Sequence, residues 1–140
     1  MRVAGAEDAE RIAALCCQLG YPSSPEQIQR RLYHLRRDEG HAVYAAERAD
    51  GRLVGWIHVH VSPLMMADLQ AEVEGLVVDE SCRGQGIGRL LMGRAERWAR
   101  EKGCGAVQLR SNVVRTGAHA FYERIGYSTV KTQLTFHKAL

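Results

Sequence analysis

Long apolar runs are missing from this chain of 140 residues: no stretch approaches the roughly 20 apolar residues that cross a bilayer as a helix. The opening residues Met1-Arg2-Val3-Ala4-Gly5-Ala6-Glu7-Asp8 lack the apolar centre of a signal peptide, so a cytoplasmic protein without a membrane partner is expected. Blocks of like charge are missing too. Nineteen Lys and Arg against sixteen Asp and Glu leave a formal charge of +3, and the basic residues are scattered among acidic ones. That disfavours a nucleic-acid partner, whose domains cluster basic residues with stacking aromatics, and favours a small anionic ligand. Cys16, Cys17, Cys82 and Cys104 have no paired metal-ligand spacing, and neighbouring cysteines do not readily bridge each other, so reduced structural thiols are expected. Two common phosphate loops are absent as well. Counting G-x-G-x-x-G from Gly84 puts the third position on Arg89, and no Gly-Lys-Ser or Gly-Lys-Thr close exists.

What is present suits one domain spanning residues 1–140, long enough to bury a core of its own. Over residues 8–19, Ala9, Ile12, Ala13, Leu15, Cys16 and Leu19 share an apolar stripe at helical spacing, with Glu10, Arg11 and Gln18 off it. Gly20 and Pro22 stop this helix, and Arg2-Val3-Ala4 before it has room only for a short strand. In Ser24-Pro25-Glu26-Gln27, Ser24 caps a second helix, Pro25 takes its first position and Gln27 answers the cap. Ile28, Leu32 and Leu35 carry that helix to Arg37. Its arginines Arg30, Arg31, Arg36 and Arg37 read as a solvated face or as the border of a substrate groove.

Residues 42–47 form a short β-prone run, Asp50-Gly51 a hairpin turn, and residues 53–61 an alternating strand. On that strand Ile57, Val59 and Val61 share one face, and Trp56, His58 and His60 the other. Two histidines on one face raise a metal or a base; with no third ligand at a recognisable spacing, half-buried strand histidines are the simpler reading. Met65 and Met66, in the 64–69 connection, suit an adaptable pocket or core filling alike. Residues 70–79 make the central strand. After Arg83 and three alternating glycines, Ile87, Leu90, Leu91, Ala95, Trp98 and Ala99 repeat as a third helix, which Gly103 ends. A strand at 106–111, a helix at 116–125 stopped by Gly126, and a Thr-rich strand at 127–136 close the chain. The order is β, α, α, three meandering strands, α, β, α, β, a mixed α/β sheet. Strand, glycine turn and helix start in that order make an anion site of backbone N–H groups.

At that site stands Arg83-x-x-Gly86-x-Gly88, with Leu76-x-Val78 on the strand before it. This resembles the acetyl-CoA-binding signature of the GNAT superfamily of N-acetyltransferases. Ala118-His119-Ala120-Phe121-Tyr122-Glu123 with Gly126-Tyr127 is similar to the family's C-terminal helix-to-strand segment, and Leu19-Gly20-Tyr21-Pro22 to the first-helix exit of many members. The resemblance implies a GNAT-like acyl-CoA N-acyltransferase fold, with a central mixed, mostly antiparallel sheet, splayed middle strands and about four helices. It implies an N-acetyltransferase that takes acetyl-CoA as co-substrate, needs no metal, and acetylates a primary amine by direct attack on the thioester. A non-catalytic acyl-CoA-binding regulator and a protein-interaction module on the same fold are the alternatives. A homodimer is expected, as in many relatives, with the C-terminal strand as pairing element.

Residue roles follow by the same resemblance. The splayed strands are residues 71–79 and 106–111, and Gly75 is consistent with a bulge. Main-chain groups of Leu76, Val77 and Val78 pair with the pantetheine amides, and an N–H near Leu76 stabilises the oxyanion. Backbone N–H groups of Arg83, Gly84, Gln85, Gly86, Ile87 and Gly88, with Arg89 beside them, grip the pyrophosphate. A primary amine of pKa about 10.4 is almost wholly protonated at pH 7, which calls for a base or a water chain. Glu74 is the preferred base; Glu72 shares its face unless a bulge separates them, and His58 and His60 are rivals. Tyr122 occupies the position of the family's general acid. Seven residues before it, where many members carry an Asn that touches the cofactor, stands Arg115, with Asn112 three residues earlier. Either is a candidate for contacting CoA.

Overall fold

The computed structural model describes residues 1–140, and its sheet is built on a meander. Strands β2 (His41–Glu47), β3 (Leu53–Val61) and β4 (Ala71–Val78) pair antiparallel in sequence order. β1 (Arg2–Val3) adds antiparallel to β2 at one edge, and β5 (Val107–Leu109) adds parallel to β4 at the other. This is the mixed, mostly antiparallel sheet expected. Helices α1 (Ala9–Leu19) and α2 (Pro25–Leu35) come before the meander, α3 (Ile87–Glu101) between β4 and β5, and α4 (Thr116–Arg124) after β5. The chain divides into two compact units, residues 1–109 and residues 110–140, and the sheet with α1–α3 belongs to the first. No helix is long and apolar enough to cross a membrane.

Local chemistry accounts for the helix ends. Ser24 Oγ accepts the Gln27 N–H and the Gln27 side chain accepts the Ser24 N–H, a reciprocal cap with Pro25 in the first turn. Gly20 closes α1 at φ 95, with the Tyr21 N–H reaching back to the Cys16 carbonyl at 3.0 Å.

Residues opposite each other in an antiparallel ladder share a face, so the register sorts the sheet. One face carries Val43, Ala45 and Val77, which with half-buried Trp56 pack against Ile12, Leu15 and Cys16 of α1 and Ile28 and Leu32 of α2. The other carries Tyr44 and Ile57, and α3 covers it: Arg94 lies over the Tyr44 ring, and a Cβ on Gly55 would come within 3.1 Å of Leu91. Leu91, Met92 and Ala95 of α3 are almost fully buried.

Three expectations are corrected. The Thr-rich segment 127–136 forms no strand; Val130, Leu134 and Phe136 are 82%, 81% and 89% exposed. Alternation supplies β-propensity, but a strand exists only where another strand takes its N–H and C=O groups, and within this chain none does so for this segment. The 106–111 strand shrinks to three residues, since its ladder with β4 ends at Val73↔Leu109. Finally, β4 ends at Val78: the Asp79 N–H still reaches the Val54 carbonyl of β3 at 2.8 Å, but its side chain caps a 3-10 turn at Glu80–Cys82 that leads the chain away. Met65 and Met66 are 99% and 93% exposed, which rules out the core-filling reading.

Candidate active site

The bulge expected near Gly75 is present, one residue earlier. In the β3–β4 ladder Val59 faces Val73 and His58 faces Gly75, so Glu74 is the extra residue. Gly75 has a separate reason to be glycine: a Cβ there would lie 2.8 Å from the Trp56 ring. Since β5 pairs with β4 only at Ala71, Glu72 and Val73, the β5-side edge of β4 has no strand beside it from 74 to 78. That open edge, which includes Leu76, Val77 and Val78, is the splay that the sequence resemblance implied.

The edge leads directly into the glycine turn. Asp79 is buried and organises it: its carboxylate accepts from the Ser81 N–H and the Ser81 hydroxyl, both at 3.1 Å, and its carbonyl accepts the Cys82 N–H at 2.8 Å. Arg11 of α1 pairs with the same carboxylate and donates to the Leu53 carbonyl at 2.8 Å. The hydrogen bonds from Ser81, aided by Arg11, hold the Asp79 pKa down to about 2. Arg83 folds back to donate to the Val78 carbonyl at 3.3 Å. Gly84 and Gly86 have φ of +78 and +83, and a Cβ on either would meet no protein atom. The positive-φ backbone, not packing, therefore calls for glycine there, and the surface beside both stays open. Gly86 begins α3 with no side-chain cap, and its carbonyl accepts from Leu90, so the amides of Ile87, Gly88 and Arg89 precede the first intrahelical bond. Gly88 lies within the helix, and Gln85 is exposed between the two positive-φ glycines. The arrangement suits a phosphate group at the positive end of the helix.

Beside the bulge the same face carries more than sequence spacing revealed. His60 Nε2 lies 2.7 Å from Glu74 Oε1. Glu72, the cross-strand partner of His60, presents its carboxylate to the same place, and the ligand atoms of His60, Glu72 and Glu74 all lie within 4.8 Å of one another. The bulge thus keeps the two carboxylates together, and the third partner that His58 and His60 lacked in sequence is supplied across the ladder. His41 also belongs here. Its ring stacks on His60 with centroids 5.0 Å apart, and its Nδ1 lies 2.9 Å from His58 Nε2. Burial, helped by His41 and His60 and opposed by Glu74, holds the His58 pKa down to about 4, so His58 is neutral at physiological pH. His41 was missed because the β-prone run was read from residue 42; Arg11 gave no signal, being an off-stripe helix residue.

Tyr122, Asn112 and Arg115 lie in the unit 110–140. Tyr122, half-buried in α4, has ring contacts with Phe121 and Tyr127, and burial raises its phenol pKa against an opposing effect of Arg115. Asn112 Oδ1 accepts the Val114 N–H at 3.1 Å, which commits that oxygen to its own turn, and Arg115 is the N-cap residue of α4.

This chain belongs to the acetyltransferase (GNAT) family, whose model matches residues 6–127. It is 33% identical over 141 residues to an aminoalkylphosphonate N-acetyltransferase of Salmonella typhimurium, a match covering 100% of this chain and 90% of that protein. An aminoglycoside N(6')-acetyltransferase type 1 of Stenotrophomonas maltophilia is 28% identical over 124 residues, covering 86% of this chain and 80% of that protein. The crystal form of an aminoglycoside N-acetyltransferase in complex with CoA shares the fold, at TM-score 0.86 and 19% identity over 99% of this chain and 93% of that one. The protein is an N-acetyltransferase that carries acetyl to an amine, and use of acetyl-CoA is implied by the family.

Proposed function

We propose that the protein binds acetyl-CoA along the open edge of β4 and acetylates the primary amine of a small acceptor by direct attack on the thioester. The observation that carries this reading is the continuity of two features: an unpaired strand edge at 74–78 runs into an uncapped helix start with Gly84 and Gly86 at positive φ. In this reading the amides from Arg83 through Arg89 take the pyrophosphate, and Leu76, Val77 and Val78 take the pantetheine amides, with a main-chain N–H near Leu76 for the oxyanion. Glu74 is the base. Its carboxylate is the solvent-accessible member of the His60–Glu74 pair, 43% exposed, whereas His60 Nδ1 is buried. His60 then orients Glu74, and neutral His58 is too weak a base at its depressed pKa to take the role. Tyr122 donates a proton to the departing thiolate; its raised pKa keeps the phenol intact for that purpose. Arg115 or Asn112 meets the CoA moiety.

An aminoalkylphosphonate is the first acceptor to test, because the relative of that name aligns over the whole chain. The experiment is thiol release from acetyl-CoA with an acceptor panel of aminoalkylphosphonate, aminoglycoside, polyamine and a peptide amine. Acceptor-dependent release with the phosphonate is expected. Acetyl-CoA binding without release for any amine would favour the regulator reading instead.

A further inference from the structure

The cluster beside the bulge has the donor set of a metal site. His60 offers an imidazole nitrogen, Glu72 and Glu74 a carboxylate oxygen each, and these atoms lie within 4.8 Å of one another. We propose that His60, Glu72 and Glu74 form a binding site for a divalent transition-metal ion of the zinc type.

One imidazole and two carboxylates form a three-ligand set of the kind that leaves a zinc coordination position open. Ligands held about 2.0–2.2 Å from an ion stand roughly 3–4 Å apart, so the cluster reaches that geometry by side-chain adjustment alone. The hydrogen bond between His60 Nε2 and Glu74 opens as the ion takes the place of the shared proton. The backbone needs no change. His60 and Glu72 are held opposite each other in the β3–β4 ladder, and the bulge leaves Glu74 without an opposing residue, free to reach His60 diagonally. The stacked His41 ring fixes the plane of His60, whose other nitrogen is buried, so Nε2 is the atom that faces the carboxylates. The His60 side chain is 20% exposed and that of Glu74 43%, which walls the site on one side and opens it on the other.

The consequence for activity rests on the assignment of Glu74 as base: a carboxylate bound to the ion does not accept a proton from the amine, so Zn²⁺ inhibits acetyl transfer. The test is titration calorimetry of chelator-treated protein with Zn²⁺, with acetyl transfer assayed in parallel. One ion per chain is expected, with affinity reduced at least about tenfold in Glu72→Gln and in His60→Gln. Far-UV circular dichroism confirms that both variants are folded. Cys17→Ser, which removes the exposed thiol, leaves binding unchanged. Absence of binding, binding insensitive to both site substitutions, or binding lost in Cys17→Ser overturns the site. Binding that depends on Glu72 and His60 while turnover is untouched upholds the site and removes Glu74 as base.

Discussion

A group that must protonate a leaving thiolate has to hold its proton at the working pH, and Tyr122 meets that condition because burial disfavours its phenolate. Tyr122→Phe removes the proton and little else. It should lower kcat by about 100-fold or more while acetyl-CoA affinity, measured by calorimetry, hardly changes. An unchanged kcat in a chemistry-limited assay would remove the general-acid role. Gly86 makes a second residue-scale test. Its φ of +83 and open Cβ position mean that Asp, which tolerates left-handed backbone better than most residues, fits the protein but sets a negative charge at the proposed phosphate site. Gly86→Asp should abolish acetyl-CoA binding with the circular dichroism spectrum retained; preserved affinity would dismiss the phosphate loop. Much was legible at this scale. The positive-φ glycines follow from a glycine-rich turn ahead of an amphipathic helix, whereas the partnership of Glu74 with His60 depends on a ladder register that one residue's slip would undo.

At the scale of elements, the bulge in β4 and the turn after it do the positioning. Gly75 lies against the Trp56 ring, and a methyl group at 2.8 Å forces the ring or the strand to move. Gly75→Ala should cost about 1–3 kcal/mol in urea unfolding, the usual range for overpacking, and should lower turnover by displacing Glu74. Full stability together with full activity would show that Trp56 has room to yield. Arg11 acts across elements: it comes from α1, yet pairs with the buried Asp79 that shapes the turn before the glycines. Arg11→Ala should raise the KM for acetyl-CoA more than it lowers kcat. An unaltered KM would mean that Ser81, with Arg52 at 3.9 Å from the same carboxylate, holds the turn without Arg11. The helices were readable because each carries an apolar stripe at helical spacing, and α2 a reciprocal cap besides. The closing 127–136 strand was misread because its alternation says nothing about whether a partner edge exists.

For the molecule as a whole, His58 makes stability depend on pH. Folded His58 takes up its proton only near pH 4, against about 6.5 in the unfolded chain, with His41, His60 and Glu74 facing it. Between those values the unfolded state binds the extra proton, so stability is complete above about pH 6.5 and falls as pH drops toward 4, by about 3 kcal/mol across the window. Urea unfolding in the presence of chelator at pH 7.5 and at pH 5 should show about 2 kcal/mol of that loss, and His58→Gln should flatten it. An equal slope in the variant would place the titration elsewhere. The sequence by itself determined the family and the order of elements as far as the fourth helix, because helix stripes, a reciprocal cap and a glycine-rich turn are local chemistry written in neighbouring residues. Only the tertiary structure decided that β3 and β4 bring His60, Glu72 and Glu74 to one place. It also decided that Arg11 braces Asp79, because both arrangements join residues far apart in the chain through a sheet register and a helix packing that no local pattern encodes.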